Sequence, residues 1–473
     1  MHRRRAPISW MLLAPAAFLA AAERTAASPY PPAVGGVHPQ IILPTIEGDQ
    51  VVALSSFRGQ KVLLVHFASW DENSRRDLPV WNAKTKGLVD SKKLVVIGVA
   101  QEQHADRCRL FAQWHGIAWP ILHDPLNLVG IQELPAVIAI DEYGIVRDLK
   151  PQPDTVAESF ALKQFPAPTK PLPLPPDELP EPRVTRRYAE EGRQSVGWCN
   201  HGDALVLAGQ PPQIDEAIAA YGKALNLDRR SADASFRLGV AYRLRFDRPQ
   251  RQPGDFQAAI DAWRRAAKLQ PRNAVFRRRV QQYGPQMDRP FAFYDWVEAA
   301  RQAVVGQKQT PIVLSAEPTP AECARAERQF RKSSTRGPEG DPRDKVKHDR
   351  DGLIELTGVV VRGTETENRC IAEVHLIFRP NEKADARWSN DADSLRVWID
   401  DSKSGEFTRR FVEHPNPAGA SSAEERTLNF AVKLPAMQKR MVTITGYALY
   451  HVRLGEGGER QQLRQDFKVK IKA

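Results

Sequence analysis

Prolines crowd the stretch from Pro166 to Pro182. Proline fixes φ and removes the amide donor, so such a run cannot be a helix interior or an inner sheet strand. It reads as a stiff, extended linker, taken here as 166–187. The chain has 473 residues and must fold separately on either side. At roughly 100–200 residues per domain, there is room for three units.

The apolar periodicity differs in each part. Before the linker, over 38–165, short apolar runs alternate with helical patterns. Val62–His66, Leu94–Val99 and Ala136–Ile140 read as buried strands, and Ser74–Lys86 and Ala105–His115 as helices. That alternation predicts a mostly parallel sheet covered on both faces. Residues 188–305 read as helical, and 306–351 as a connecting segment with a polar loop at Arg331–Arg350. From 352 to 473 the period becomes two. Seven strands are expected, at Ile354–Arg362, Ile371–Phe378, Leu395–Ile399, Phe407–Val412, Thr427–Leu434, Val442–Leu449 and Phe467–Ile471. Seven short strands suggest a β-sandwich. The fold class is multidomain: α/β, then α, then β.

Arg3–Arg5, the apolar run Ile8–Ala22 and the small residues after it read as a secretory signal, 1–27, with cleavage expected after Ala22 or Ala27. The run is shorter than the roughly 20 residues of a spanning helix, and Pro15 interrupts it. Export to the periplasm or the exterior is expected, with tethering by an uncleaved signal as the alternative. No other segment reads as transmembrane. The formal net charge is +11. No nucleic-acid-binding fold is recognisable, and Arg277–Arg279 read as the outer face of a helix, so the basic excess reads as solvated surface.

Val62-Leu-Leu-Val-His-Phe-Ala-Ser-Trp70 resembles the strand and turn before the redox centre of membrane-tethered thiol–disulfide oxidoreductases and redoxins. That family continues with Cys-x-x-Cys. Here the chain continues Asp71-Glu72-Asn73-Ser74, then Arg75 to Pro79. Leu134-Pro135-Ala-Val-Ile-Ala-Ile-Asp141-Glu-Tyr-Gly144 is similar to the family's cis-proline loop, strand and turn, which would lie opposite the redox site. The resemblance covers about 40–160 and implies a thioredoxin-like fold.

In the family the first cysteine sits at a helix N-terminus, where free N–H groups favour the thiolate. The thiolate attacks a disulfide and the second thiol releases it. Asp71 cannot do this, and the Ser74 hydroxyl has too high a pKa to resolve anything. Asp71 is expected to cap the helix, and Ser74 to be a first-turn residue. Cys108 lies where some redoxins carry a resolving cysteine, so a one-cysteine redox centre there is the alternative. Cys108, Cys199, Cys323 and Cys370 show no metal-type spacing, and neither do His104, His115 and His123. No metal or cofactor is expected.

Two segments resemble tetratricopeptide repeats. The first runs Trp198-x3-Gly202-x2-Leu205-x3-Gly209, an expanded turn at Gln210–Gln213, then Ala217-x3-Tyr221-x2-Ala224. The second runs Leu238-Gly239-x2-Tyr242, an expanded turn at Phe246–Pro253, then Ala259-x3-Trp263-x2-Ala266-x4-Pro271. Trp198, Leu205, Tyr221, Tyr242 and Trp263 form the repeat framework, and Phe276 and Val280 fit a capping helix. The resemblance implies a surface for a peptide or protein partner, with a plain spacer as the alternative.

Gly446 to Ile471 reads as a hairpin. It resembles the last hairpin of the immunoglobulin-like domain of transmembrane electron-transfer proteins of the disulfide-interchange type, whose loop carries two cysteines. The loop from Arg453 to Arg460 has none. A generic β-sandwich interaction domain is the other reading. Two functions follow: a non-catalytic binding or assembly protein of the cell envelope, or a thiol–disulfide oxidoreductase or peroxidase using Cys108.

Overall fold

The computed structural model describes residues 33–472 apart from 171, 173–174, 209–212, 333–341, 364–368, 402–404 and 436–440. The expected signal 1–27, Gly209, most of the turn 210–213 and part of the loop 331–350 lie outside them.

A short hairpin, β1 (Ile42–Pro44) and β2 (Val51–Ala53), precedes a five-stranded sheet. Its strands are β3 (Val62–Phe67), β4 (Val95–Ala100), β5 (Ile121–His123), β6 (Ala136–Ile140) and β7 (Val146–Asp148), in the order β5-β4-β3-β6-β7. The pairs β3/β4 and β4/β5 are parallel, and β3/β6 and β6/β7 antiparallel. Every β3 residue is buried. Side chains alternate across a strand, so Leu63, Val65 and Phe67 enter one apolar cluster and Val62 and Leu64 the opposite one.

Two helices flank this sheet, α1 (Glu72–Asp90) and α2 (Ala105–His115). Helix α1 is longer than the expected Ser74–Lys86 and carries Pro79 within it. Helix α2 ends on Gly116 at φ 59°, the left-handed conformation that glycine tolerates.

The chain turns helical again at Pro182, inside the segment read as linker, because proline is tolerated at the first helical position. Six helices follow: α3 (Pro182–Gly192), α4 (Ser195–Leu207), α5 (Ile214–Leu227), α6 (Ala232–Phe246), α7 (Asp255–Leu269) and α8 (Ala274–Gln281). Helices α4/α5 and α6/α7 are the two expected repeat hairpins. Leu205, Tyr221 and Trp263 are buried between them, and Trp198 and Tyr242 are partly buried against the same cluster. Gly202 faces the Tyr221 ring and Gly239 faces Trp263, so small residues let the helices close. Phe276 of α8 stacks on Phe236 with centroids 4.5 Å apart.

The segment after α8 also folds. It includes α9 (Val297–Gly306) and a one-turn helix, α10 (Pro320–Cys323), which begins with a capping box made by Thr319 and Glu322.

The C-terminal strands form two antiparallel sheets. The four-stranded sheet has β8 (Ile354–Arg362), β9 (Arg369–Pro380), β12 (Glu406–Phe407) and β15 (Arg426–Pro435). The six-stranded sheet has β10 (Ala386–Ser389), β11 (Leu395–Ile399), β13 (Phe411–His414), β14 (Ser421–Ser422), β16 (Met441–Leu454) and β17 (Gln461–Lys472). Both contribute to one core that includes Val374, Leu376, Val397, Phe430 and Ile444. The single strand expected over Phe407–Val412 is two, β12 and β13, one in each sheet. The chain crosses between sheets where Thr408 bonds the Ala431 carbonyl. Strands β10 and β14, which the sequence reading did not include, are four and two residues long, too short to show a period of two.

Candidate thioredoxin-type site and its covering segment

Strand β3 delivers Trp70 and Asp71 to the N-terminus of α1. The Asp71 carboxylate accepts from the Ser74 N–H and the Ser74 hydroxyl, each at 2.8 Å. It is therefore the helix cap, and Ser74 is a first-turn residue. Burial raises the Asp71 pKa, against the two Ser74 hydrogen bonds and the charges of Arg75 and Arg278. Both side chains are buried. The Leu134–Pro135 bond is cis.

Cys108, on α2, is fully buried. Its thiol donates to Glu102 Oε2 at 3.6 Å. Burial pushes its pKa well above the usual thiol range, and the neighbouring carboxylate adds to the shift. The other oxygen of Glu102 accepts from the Tyr294 hydroxyl, while Oε2 also takes the Ser69 hydroxyl at 2.7 Å and the Ser69 N–H at 3.1 Å. A reactive thiol needs exposure and a cationic setting. Cys108 has neither.

Tyr294 belongs to a segment that sequence reasoning did not link to this site. Residues 290–296 run across the start of α1. Arg75 donates to the Ser69 and Phe293 carbonyls, each at 3.1 Å, and to the Ala292 carbonyl at 3.3 Å. The Phe293 ring lies 6.3 Å from Trp70. The Phe293 and Tyr294 N–H groups both donate to the Glu322 carbonyl. Glu322 in turn reaches Arg107 of α2 at 2.7 Å, with both side chains buried. Arg107 also lies over the Tyr294 ring at 4.2 Å. Further along, Gln113 of α2 holds the Ile312 N–H and the Thr310 carbonyl. No local pattern in 286–323 signals any of this, because each partner is far away in sequence.

The repeat helices cover the cis-proline side. Ala274 N–H donates to the Gln132 carbonyl at 2.8 Å. His104 Nε2 lies 2.9 Å from Asp247 at the end of α6. Leu126 and Ile131 share an apolar cluster with Val206, Phe236 and Val240. Arg279, read from sequence as outer face, is instead 1% exposed, over the Phe236 and Trp263 rings and 3.4 Å from Gln103. The long guanidinium is drawn inward because α8 sits between the repeats and the first sheet. The β domain joins the same cluster through Val359, Val361 and Ile377, and His375 Nε2 donates to the Tyr283 carbonyl at 2.7 Å.

All four cysteines are unbridged, three of them buried and Cys323 partly so. Among the described residues no group of three or more His, Cys, Asp or Glu side chains could hold a metal. Among the same residues no helix is long and apolar enough to cross a membrane.

A family model described as a TPR repeat matches residues 202–243. Thioredoxin-like protein YneN of Bacillus subtilis (strain 168) is 25% identical over 115 residues, covering 24% of this chain and 67% of that protein. Thiol-disulfide oxidoreductase ResA of Geobacillus thermodenitrificans (strain NG80-2) is 26% identical over 121 residues, covering 25% and 68%. The crystal structure of the thioredoxin domain of a thiol-disulfide oxidoreductase from Bacteroides vulgatus is 20% identical, covering 27% of this chain and 97% of that one, with a TM-score of 0.25. The chain is thus a thioredoxin-like domain joined to tetratricopeptide-repeat helices and a C-terminal β domain of two sheets.

Proposed function

We propose that this is an exported, redox-silent protein of the cell envelope that serves as a binding or assembly module. The observation that carries the reading is the start of α1. Asp71 and Ser74 stand where the family has its two thiols, and they are spent on each other as a helix cap. Exchange needs an accessible thiolate and a resolving thiol. The remaining thiol of the domain, Cys108, is enclosed with a carboxylate beside it. That placement speaks against the one-cysteine alternative.

The binding role rests on the repeats. The framework residues Leu205, Tyr221 and Trp263 are buried, and most of α6 is buried too. An outside protein or peptide would therefore meet the outer polar faces of α5 and α7, where Asp215, Glu216, Lys223 and Asp261 are exposed. Export rests on the sequence of residues 1–27.

The test is an assay of the protein without residues 1–27 for disulfide reduction and peroxide consumption, with Cys108→Ser alongside. No turnover in either protein is the expected result. Turnover that disappears in Cys108→Ser would replace this reading with a one-cysteine redox centre.

A further inference from the structure

We infer that residues 290–296 act as a built-in strap that shuts the start of α1 against macromolecular clients, so that closure does not depend on the missing thiols alone. The inference deepens the redox-silent reading and rests on the same site.

The strap is held on both of its sides. From below, the Arg75 guanidinium clamps the Ala292 and Phe293 carbonyls, and Glu102 takes the Tyr294 hydroxyl. From the far side, the Glu322 carbonyl takes the Phe293 and Tyr294 N–H groups. Glu322 is pinned by Arg107 and by the Thr319 N–H at 2.8 Å. Phe291 lies over Arg75 at 5.9 Å and Arg278 at 5.5 Å. The anchors sit on α1, α2, α8 and α10, so no single element carries the strap. Ala292, Phe293, Tyr294 and Trp296 are buried, and Asp71 and Ser74, next in the chain to the Trp70 and Arg75 that hold this segment, are 7% and 0% exposed. A client disulfide approaching position 71 meets this segment first.

The prediction separates the strap from the lost chemistry. Reinstalling the thiols, Asp71→Cys with Ser74→Cys, supplies a dithiol at the helix N-terminus. In a productive cycle the installed thiolate attacks the client S–S bond, and the second thiol closes the new S–S bond as the client leaves with two thiols. Two electrons and two protons pass to the client, and dithiothreitol returns the protein pair to dithiol. With the strap in place this cycle should not reach insulin.

The experiment compares insulin reduction, driven by dithiothreitol, for three full-length proteins: wild type, the double-cysteine variant, and the double-cysteine variant carrying Arg75→Ala and Phe293→Ala. Reaction of the two double-cysteine proteins with a small aromatic disulfide reports that the installed thiols are present, and circular dichroism reports that each of the three proteins is folded. The strap-weakened protein should reduce insulin at least about tenfold faster than the double-cysteine variant, the change corresponding to about 1.4 kcal/mol. Equal rates in these two proteins, whether fast or slow, would overturn the strap. Turnover by wild type would instead sink the redox-silent reading, so the two failures are distinguishable.

Discussion

The Arg107 guanidinium lies 2.7 Å from the Glu322 carboxylate, and the two side chains are 1% and 0% exposed. They are 215 positions apart, one on α2 of the first sheet domain and one on α10 of the connecting segment. Burial is the largest influence on the Glu322 carboxyl and works to raise its pKa, but the Arg107 charge and hydrogen bond, the Thr319 N–H and the Arg243 charge together outweigh it and hold the carboxyl below its usual range. Losing one partner of such a pair strands a buried charge. Glu322→Ala should therefore cost about 3–5 kcal/mol in denaturant unfolding, whereas Arg107→Met with Glu322→Leu should recover much of that loss. A double variant no more stable than Glu322→Ala would contradict this account of the pair.

Cys108 should be unreactive in the folded protein. Its thiol is fully buried and donates to a carboxylate, so the thiolate is disfavoured twice. Maleimide labelling at neutral pH, read by mass spectrometry on peptides, should leave Cys108 unmodified until denaturant is added. Labelling of the native protein within minutes would show an opening that this packing does not allow.

The repeat hairpins depend on two glycines. A Cβ at Gly202 would lie 2.5 Å from the Tyr221 ring, and one at Gly239 would strike Trp263. Both large side chains are fully buried and cannot swing aside into solvent. Gly202→Ala should lower stability by roughly 1–3 kcal/mol, as overpacking does, despite the better helix propensity of alanine. Thermal melts with unchanged midpoints would remove the close-approach explanation.

Asp71→Ala should cost about 1 kcal/mol through loss of the helix cap, and Asp71→Asn much less, since asparagine also accepts from the Ser74 N–H. Equal melting temperatures for the two variants would mean that the cap contributes little.

Glu373 gives a pH-dependent test. Burial raises its pKa to about 7, against the opposing charge of Arg289 and the hydrogen bond from Asn429. The folded-state pKa is above the ordinary carboxyl value, so the folded protein binds the proton more tightly than the unfolded chain. That stabilisation is complete below the ordinary value and is lost as pH rises through about 7. Glu373→Gln should match wild type near pH 4.5 and become the more stable protein by about 3 kcal/mol at pH 8. A constant stability difference across that range would argue against a titrating Glu373.

Local pattern determined much of this protein. Strands β3, β4 and β6 are legible as short unbroken apolar runs because that sheet is buried on both faces, and β11 and helix α2 are legible because apolar residues recur at the period of each element. The repeat glycines and the Asp71 cap are legible because each acts on residues three or four positions away, or on a ring whose place the repeat fixes. The strap over α1, the enclosure of Cys108 and the inward turn of Arg279 depend on contacts between segments 176 to 218 residues apart. A polar residue in a sequence carries no mark of whether it faces water or a distant partner. Arg107 and Glu322 look like ordinary surface charges until α2 and α10 are brought together. Only the tertiary structure decided that the start of α1 and the inner helices of the repeats meet other parts of the same chain.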